Sequence, residues 1–459
     1  MKKILLIIIF SMISIGGIMS QNKQILYGFD EIPQTLLLNP GAVTNYKYHA
    51  GVPLLSGIST NASVSGFTIA DLFRADNVNF NTKLDNVLNQ LGTSDYVAIN
   101  TQVEVINAGY KINERDYLSV GYYTELDAFF TIPKDFLQLI KDGNAGFINR
   151  NFLFSSVNVK ADLLGVIHAG ISRKMSEKLT IGGRVKLYSG ALNVLSNNNR
   201  GSFTTRLGTD NIYVHTLSNV GVSAYSSGFY DANNEINLDA RDIIGSTFLG
   251  SNLGLGFDIG VTYRIDPQTV FTASLLDIGF ISYSEKTRNG TVNGNYTFSG
   301  IEFLYDSTNP DYWQQLNDDI DANILRENNR ESYSVMRPIK FNAALQYQFG
   351  RTRSEESCSD ISYKNYYDNA VGAQLYTIIR PIGPRFAMTG FYQRRISEKF
   401  NTKVTYTIDD FSYTNFGIGV SANVWKLNIY GVVDNVFQLS DIANANNASF
   451  QLGINMIFK

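Results

Sequence analysis

Between Leu253 and Arg264 every second residue is large and apolar. Leu253, Leu255, Phe257, Ile259, Val261 and Tyr263 interleave with Gly254, Gly256, Asp258, Gly260, Thr262 and Arg264. Successive side chains of a strand point to opposite faces, so this period dictates a ribbon with one greasy face and one small or polar face. The pattern returns over Ile339–Phe349, Phe416–Val424 and Phe450–Phe458. Strands of about ten residues are what a tilted barrel strand needs to cross a bilayer.

Alternation alone leaves two solutions open. A soluble exported β-rich module buries the apolar face in a core, whereas a membrane barrel turns it to lipid. The opposite face is rich in Gly with isolated charges, and the chain ends on a strand with Phe458 next to last. The connections also fall into two kinds. Asn113–Asp116, Met175–Lys178, Asp266–Gln268, Ser397–Lys399 and Trp425-Lys426 are tight, mostly charged turns, while about 67–97, 128–160, 191–250, 282–337 and 436–447 are mostly long. Strands are expected at 45–66, 98–110, 116–127, 161–173, 178–190, 252–265, 269–281, 338–349, 369–380, 386–395, 400–408, 414–424, 427–435 and 448–458. That makes about fourteen, with every tight charged turn on one side, as outer-membrane barrels show. Arg351–Asp368 and Pro381–Pro384 break the rule of short and long sides. The expected fold is therefore all-β: an antiparallel transmembrane β-barrel with long outer loops carrying short helices.

Met1, Lys2 and Lys3 followed by the apolar run Ile4–Met19 and Ser20-Gln21 read as a signal peptide, residues 1–20, that exports the chain to the outer membrane. A net charge of −3 excludes a basic nucleic-acid binder as the default reading. One Cys and three His exclude a disulfide framework and local zinc or iron–sulfur motifs, so neither metal nor cofactor is expected. Cys358 lies in a polar stretch and reads as an idle loop thiol. His49, His168 and His215 have no Ser or Asp at motif spacing, and Ser56 lacks a nucleophile-elbow pattern. The expectation is a barrel that is not an enzyme. Pro133–Asp142, opened by Pro and closed by Gly143, is a short helix. Tyr312–Asn329 has a weaker helical pattern, and 191–250 reads as outer loop with a stray hairpin.

Charges on the inward register are the candidate functional residues. Arg184 and Lys186 precede the strand holding Asp258 and Arg264; if the 191–250 excursion returns directly, these strands are neighbours and opposite charges meet across them. Lys340, His168 and Asp434 are the further lumen candidates. The structural reading is an ion pair; the functional one is a polar site in a pore.

The stretch Leu253–Arg264 with Ser274–Phe280, together with Asn39-Pro40-Gly41, Ile132-Pro133 and Gly183–Gly190, resembles a Bacteroidota outer-membrane barrel family of unknown function. That family is similar to long-chain fatty-acid transporter-like (FadL-type) barrels and to PorV-type barrels of type IX secretion. The resemblance implies fourteen strands and an N-terminal segment that plugs the lumen. Here it divides the mature chain into a plug-like segment, 21–45, and a barrel, 46–459. Phe29, Ile32, Leu36, Leu37, Leu38, Asn39 and Pro40 are the plug contacts. The partners implied are outer-membrane lipid, a hydrophobic ligand, and a secretion-system or other outer-membrane protein. Function stays divided between transport of hydrophobic small molecules, a secretion-associated role, and a plugged barrel serving a membrane complex. No basic pair stands at the lumen mouth for a fatty-acid carboxylate.

Overall fold

The computed structural model describes residues 23–92, 94–209, 213–231, 235–299, 314, 318, 322–351, 367–409 and 415–458. The expected signal peptide and Cys358 lie outside them. Fourteen antiparallel strands form the wall: β1 (Tyr48–Gly51 and Ile58–Val64), β2 (Tyr96–Lys111), β3 (Asp116–Thr131), β4 (Val159–Lys174), β5 (Leu179–Ser196), β6 (Asn252–Arg264) and β7 (Thr269–Tyr283). They continue as β8 (Lys340–Arg351), β9 (Tyr367–Arg380), β10 (Gly383–Ser397), β11 (Phe400–Ile408), β12 (Asn415–Val424), β13 (Leu427–Asp434) and β14 (Asn447–Phe458). Each pairs with its neighbours in the chain. β14 returns to β1 at Tyr48↔Phe458 and Ile58↔Leu452, which closes the ring. A closed ring pairs its backbone internally, as hydrocarbon surroundings demand.

The greasy faces point outward. On β6, Leu253, Leu255, Phe257, Ile259 and Tyr263 are exposed, while Asn252, Gly254, Gly256, Asp258 and Gly260 are buried. The soluble alternative, with those apolar residues packed in a dry core, is thereby overturned. Leu253 to Tyr263 covers about 25 Å along the barrel axis at ~3.4 Å per residue and a tilt of ~40°, the height of an outer-membrane apolar band. Exposed Tyr48, Tyr110, Tyr263, Tyr347 and Trp425 ring the tight-turn end, and Phe130, Phe280 and Phe450 lie toward the other. Such aromatic girdles mark membrane–water interfaces. No helix among the described residues is long and apolar enough to cross a membrane.

Three local expectations need correction. The strand expected at 45–66 is interrupted between Gly51 and Ile58, where Pro53 offers no N–H and Leu54 takes a left-handed φ of 62°. The helix expected over Tyr312–Asn329 ends as a strand, Ile324–Asn329, because it pairs with Thr287–Phe298; cross-strand pairing overrides a weak helical period. The stretch 191–250 holds more than a stray hairpin. Arg200–Leu207 and Tyr213–Ser227 pair with each other and with Asn151–Leu153 and Thr287–Phe298, so a sheet of loop strands stands beyond the long-loop mouth. The helix expected at Pro133–Asp142 is present as Lys134–Asp142, ending at Gly143 with φ 71°.

Candidate functional site

The inward faces of β3 to β9 carry a network of buried charge. Arg184 on β5 lies directly across from Asp258 on β6, its guanidinium 3.1 Å from the carboxylate. Lys186, two residues on and on the same face, reaches both Asp258 (2.9 Å) and Asp277 of β7 (2.5 Å). Lys340 of β8 binds Asp277 at 2.8 Å and approaches Glu125 of β3 at 3.7 Å. Arg337, just before β8, binds Glu125 at 2.8 Å. Arg380 of β9 grips Asp127 of β3 with two nitrogens, at 2.7 and 3.1 Å. Asn100 ties the two acids of β3 together. With Asp162, 3.7 Å from Arg337, these ion pairs join five cations to five carboxylates, and the buried Lys160 and the Lys23 of the inner segment lie beside them. Balanced pairing is what makes so many buried charges tolerable, and losing one member leaves its partner uncompensated.

A bulge builds part of this network. Phe257 pairs with Ile278 but Ile259 with Leu275, so Asp258 faces both Leu276 and Asp277. Asp277 takes a left-handed φ of 59°, and its N–H donates to the Asp258 carboxylate at 2.7 Å. The inward register switches there from even to odd numbers, which turns Asp277 into the lumen.

Residues 23–46 run inside the ring. Ile25, Leu26, Phe29 and Ile32 pack with Tyr430 and Val432, joined by Leu38. Leu36, Ala42 and Tyr46 pack with Tyr117, and Leu37 lies against Tyr123, Leu164, Val166, Tyr188, Ile281, Tyr283 and Val335. Wall side chains answer the carbonyls of this segment, which otherwise lack strand partners. Arg184 donates to Leu36 and Leu37, Ser274 to Leu38 (2.6 Å), Thr262 to Gly41 (2.9 Å), Ser172 to Ala42 (3.1 Å) and Lys403 to Tyr27 (2.6 Å). Gln34 donates to Glu104 and Asn455, each at 2.9 Å. Asn39-Pro40-Gly41 needs two glycines opposite it: a Cβ at Gly182 would lie 2.0 Å from the Pro40 oxygen, and one at Gly260 2.0 Å from Asn39 Oδ1.

The structure thus brings Arg184, Lys186, Asp258 and Lys340 together. His168 is buried beside them, its ring 5.7 Å from that of Tyr123, but makes no ion pair among the described residues. Arg264 sits at the turn end of β6, six residues below Asp258. Asp434 is buried on the opposite wall near Ile25 and Gly417, away from the network. Glu125, Asp127, Asp162, Asp277, Arg337 and Arg380 were not singled out from sequence. The alternation of β3 puts Glu125 and Asp127 on one face and was readable; Asp277 was hidden by the bulge, announced only by the doublet Leu275-Leu276. A cavity of about 40 Å³ between Lys23, Leu37, Leu38, Glu125, Asp277 and Lys340 has room for a few waters.

A model described as "Family of unknown function (DUF5723)" matches residues 40–434. No curated protein matches the chain. Among solved structures it is similar to the Ralstonia pickettii toluene transporter TbuX, at 12% identity over 94% of this chain and 95% of that one, with a TM-score of 0.41. It is also similar to a Pseudomonas aeruginosa FadL homologue (10%, 97% and 100%, 0.42) and to the CymD monoaromatic hydrocarbon channel (10%, 97% and 98%, 0.41).

Proposed function

Since the chain belongs to DUF5723, a family of unknown function, we propose from its geometry that it is a non-enzymatic outer-membrane barrel that carries small hydrophobic molecules, with residues 23–46 as its plug. The observation that supports this is the character of the lumen. A water-filled pore has a polar interior, but here Tyr123, Tyr188, Tyr283, Leu164, Val166, Ile281 and Val335 form a buried apolar cluster inside the wall, with Leu37 of the inner segment against it. The paired charges beside that cluster suit closure to ions, and displacement of Leu37 would open an apolar path. Residues 1–20 serve export.

Uptake of radiolabelled toluene by cells with a lipopolysaccharide outer leaflet tests the proposal. Expression of the chain is expected to raise the initial rate, and Arg184→Gln, which frees the Leu36 and Leu37 carbonyls, to raise it further. Rates equal to those of cells without the chain, for both forms and with both folded by heat-dependent gel mobility, overturn it.

A second reading is a plugged barrel serving as partner subunit of a membrane complex, a type IX secretion machine included. It is favoured by the outer sheet of loop strands beyond the mouth, Arg200–Leu207 and Tyr213–Ser227, whose Leu207 and Tyr213 are exposed. Copurification from solubilised membranes checks it; a barrel that always runs alone rules it out.

A further inference from the structure

The segment Ile236–Gly250 does not extend away from the mouth with the other loop strands. It folds back onto the outside of the wall. Tyr122, Gly165 and Ser189 belong to the outward registers of β3, β4 and β5, and all three receive it. The Tyr122 hydroxyl lies 2.9 Å from Thr247 Oγ1, and its ring meets Phe248 edge-on at 5.3 Å. Ser189 donates to the Ser246 carbonyl at 2.8 Å and accepts from the Gly250 N–H at 2.7 Å. A Cβ at Gly165 would lie 1.8 Å from the Thr247 carbonyl oxygen, so the segment's backbone seats in the gap that this glycine leaves.

The seat occupies one rung. Thr124, Gly165, Ser189 and Leu253 are cross-strand neighbours, and the next rung toward the tight turns is Tyr122, Ile167, Leu187 and Leu255. Small or polar residues thus interrupt the greasy wall where the segment lies, at the upper limit of the apolar band that begins with Leu253. The segment supplies the greasiness that this rung lacks: Ile236, Leu238, Ile244, Phe248 and Leu249 are each more than half exposed, with Ile244 at 67%. Five large apolar side chains held outward within one short stretch mark an interaction surface.

Its backbone is suited to a dry setting. Ile243 N–H donates to Asp239, Thr247 N–H to Ile244 and Phe248 N–H to Gly245, while Asp239 caps the helix Ala240–Ser246 by accepting from Arg241 N–H. Helical backbone that answers its own polar groups in this way can lie in the interfacial plane of a membrane. Asp239, Arg241 and Asp242 are exposed and supply the polar side of an amphipathic element.

We propose that Ile236–Gly250 is a strap that lies in the outer leaflet and binds lipid acyl chains through Ile244, Phe248 and Leu249, continuing the lipid-facing wall of β3–β6. The proposal rests on the reading of the ring as a membrane-spanning barrel, and its test separates the two. In a background with Trp313 and Trp425 replaced by Phe, a single tryptophan is placed on the strap by Phe248→Trp. A second protein carries it in the wall itself by Val185→Trp, where the native side chain is 63% exposed. Each full-length protein is reconstituted in vesicles of phosphatidylcholine brominated either near the headgroup or deep in the chain. Emission from the strap tryptophan is expected to fall with shallow bromine by as large a fraction as that from the wall tryptophan falls with its more effective lipid, and to resist aqueous iodide. Iodide quenching of the strap tryptophan, or quenching by neither agent as under a protein partner, overturns the strap while the wall tryptophan still reports lipid. Loss of bromine quenching in the Val185→Trp protein as well overturns the membrane reading itself.

Discussion

The two sides of the lumen hold the inner segment by different means. From β3 to β9 the wall offers paired charges, of which Arg184 donates to the Leu36 and Leu37 carbonyls, while the hydroxyls of Ser274, Thr262 and Ser172 donate to Leu38, Gly41 and Ala42. From β11 to β14 it offers mostly amides and hydroxyls, with Lys403 and Asp434 as charges outside the network: Asn401, Thr405, Thr407, Ser421, Asn428, Asn447, Ser449, Gln451 and Asn455 are all buried. There Ile25, Leu26, Phe29 and Ile32 are held largely by packing against Tyr430 and Val432, and a Cβ at Gly417 or Gly419 would strike Ile25 within 3 Å. The lesson is that charge on the first wall comes as a shared network, whereas the second wall carries its few charges, Lys403 and Asp434 among them, outside that network and yields a surface for side chains to pack on. A single change should therefore propagate on the first wall and stay local on the second.

The same substitution on opposite walls gives the largest contrast. Asp277→Asn leaves Lys186 and Lys340 without their common carboxylate and is expected to cost about 3–5 kcal/mol, the usual consequence of stranding buried charge. Asp434→Asn, with no cation in ion-pair contact among the described residues, is expected to change stability by no more than about 1 kcal/mol. Urea unfolding of the folded barrel in micelles, followed by heat-dependent gel mobility, measures both; equal effects would erase the distinction between the walls.

Glycine seats come next. Gly260→Val drives a side chain into Asn39 Oδ1 of a hydrogen-bonded turn, while Gly419→Val meets the flexible Ile25 side chain at 2.8 Å. Overpacking of about 1–3 kcal/mol is expected for the first and the lower end of that range for the second. Limited proteolysis should find residues 23–46 cut sooner only in Gly260→Val.

A smaller effect is expected from Ser274→Ala, which removes one hydrogen bond to Leu38 and should cost about 1 kcal/mol. The smallest lies outside both walls. In the turn between β2 and β3, Lys111 bonds Glu114 at 2.7 Å and holds that carboxyl below its usual range. A depressed carboxyl contributes stability above its unfolded-state pKa and loses it as pH falls through the lowered value. Because Glu114 is fully exposed, solvent screens the pair. Glu114→Gln should shift the urea midpoint at neutral pH less than any lumen variant, and the two proteins should converge on acidification.

Much of the ring was legible before the structure. The alternation of β6, β8, β12 and β14 is strictly local, and the tight turns Asn113–Asp116 and Asp266–Gln268 sit where strands must reverse. The neighbour relation of Arg184 and Asp258 followed once 191–250 was taken as an excursion between adjacent strands. Six of the ten paired charges were not singled out from sequence, and most of those six were not legible there. Asp277 needs a bulge that reverses the register; Arg337 lies outside β8; Arg380 finds Asp127 across a lumen that no local pattern measures.

A period of two, set by the geometry of each residue and its neighbours, was enough to determine ribbons with one greasy face, their number and their order. Which carboxylate neutralises which cation, where Asn39-Pro40-Gly41 comes to rest, and why 236–250 folds over the outer wall are decided by distances between residues far apart in the chain. Such distances exist only once the ring has closed, because closure fixes how far one wall stands from the other.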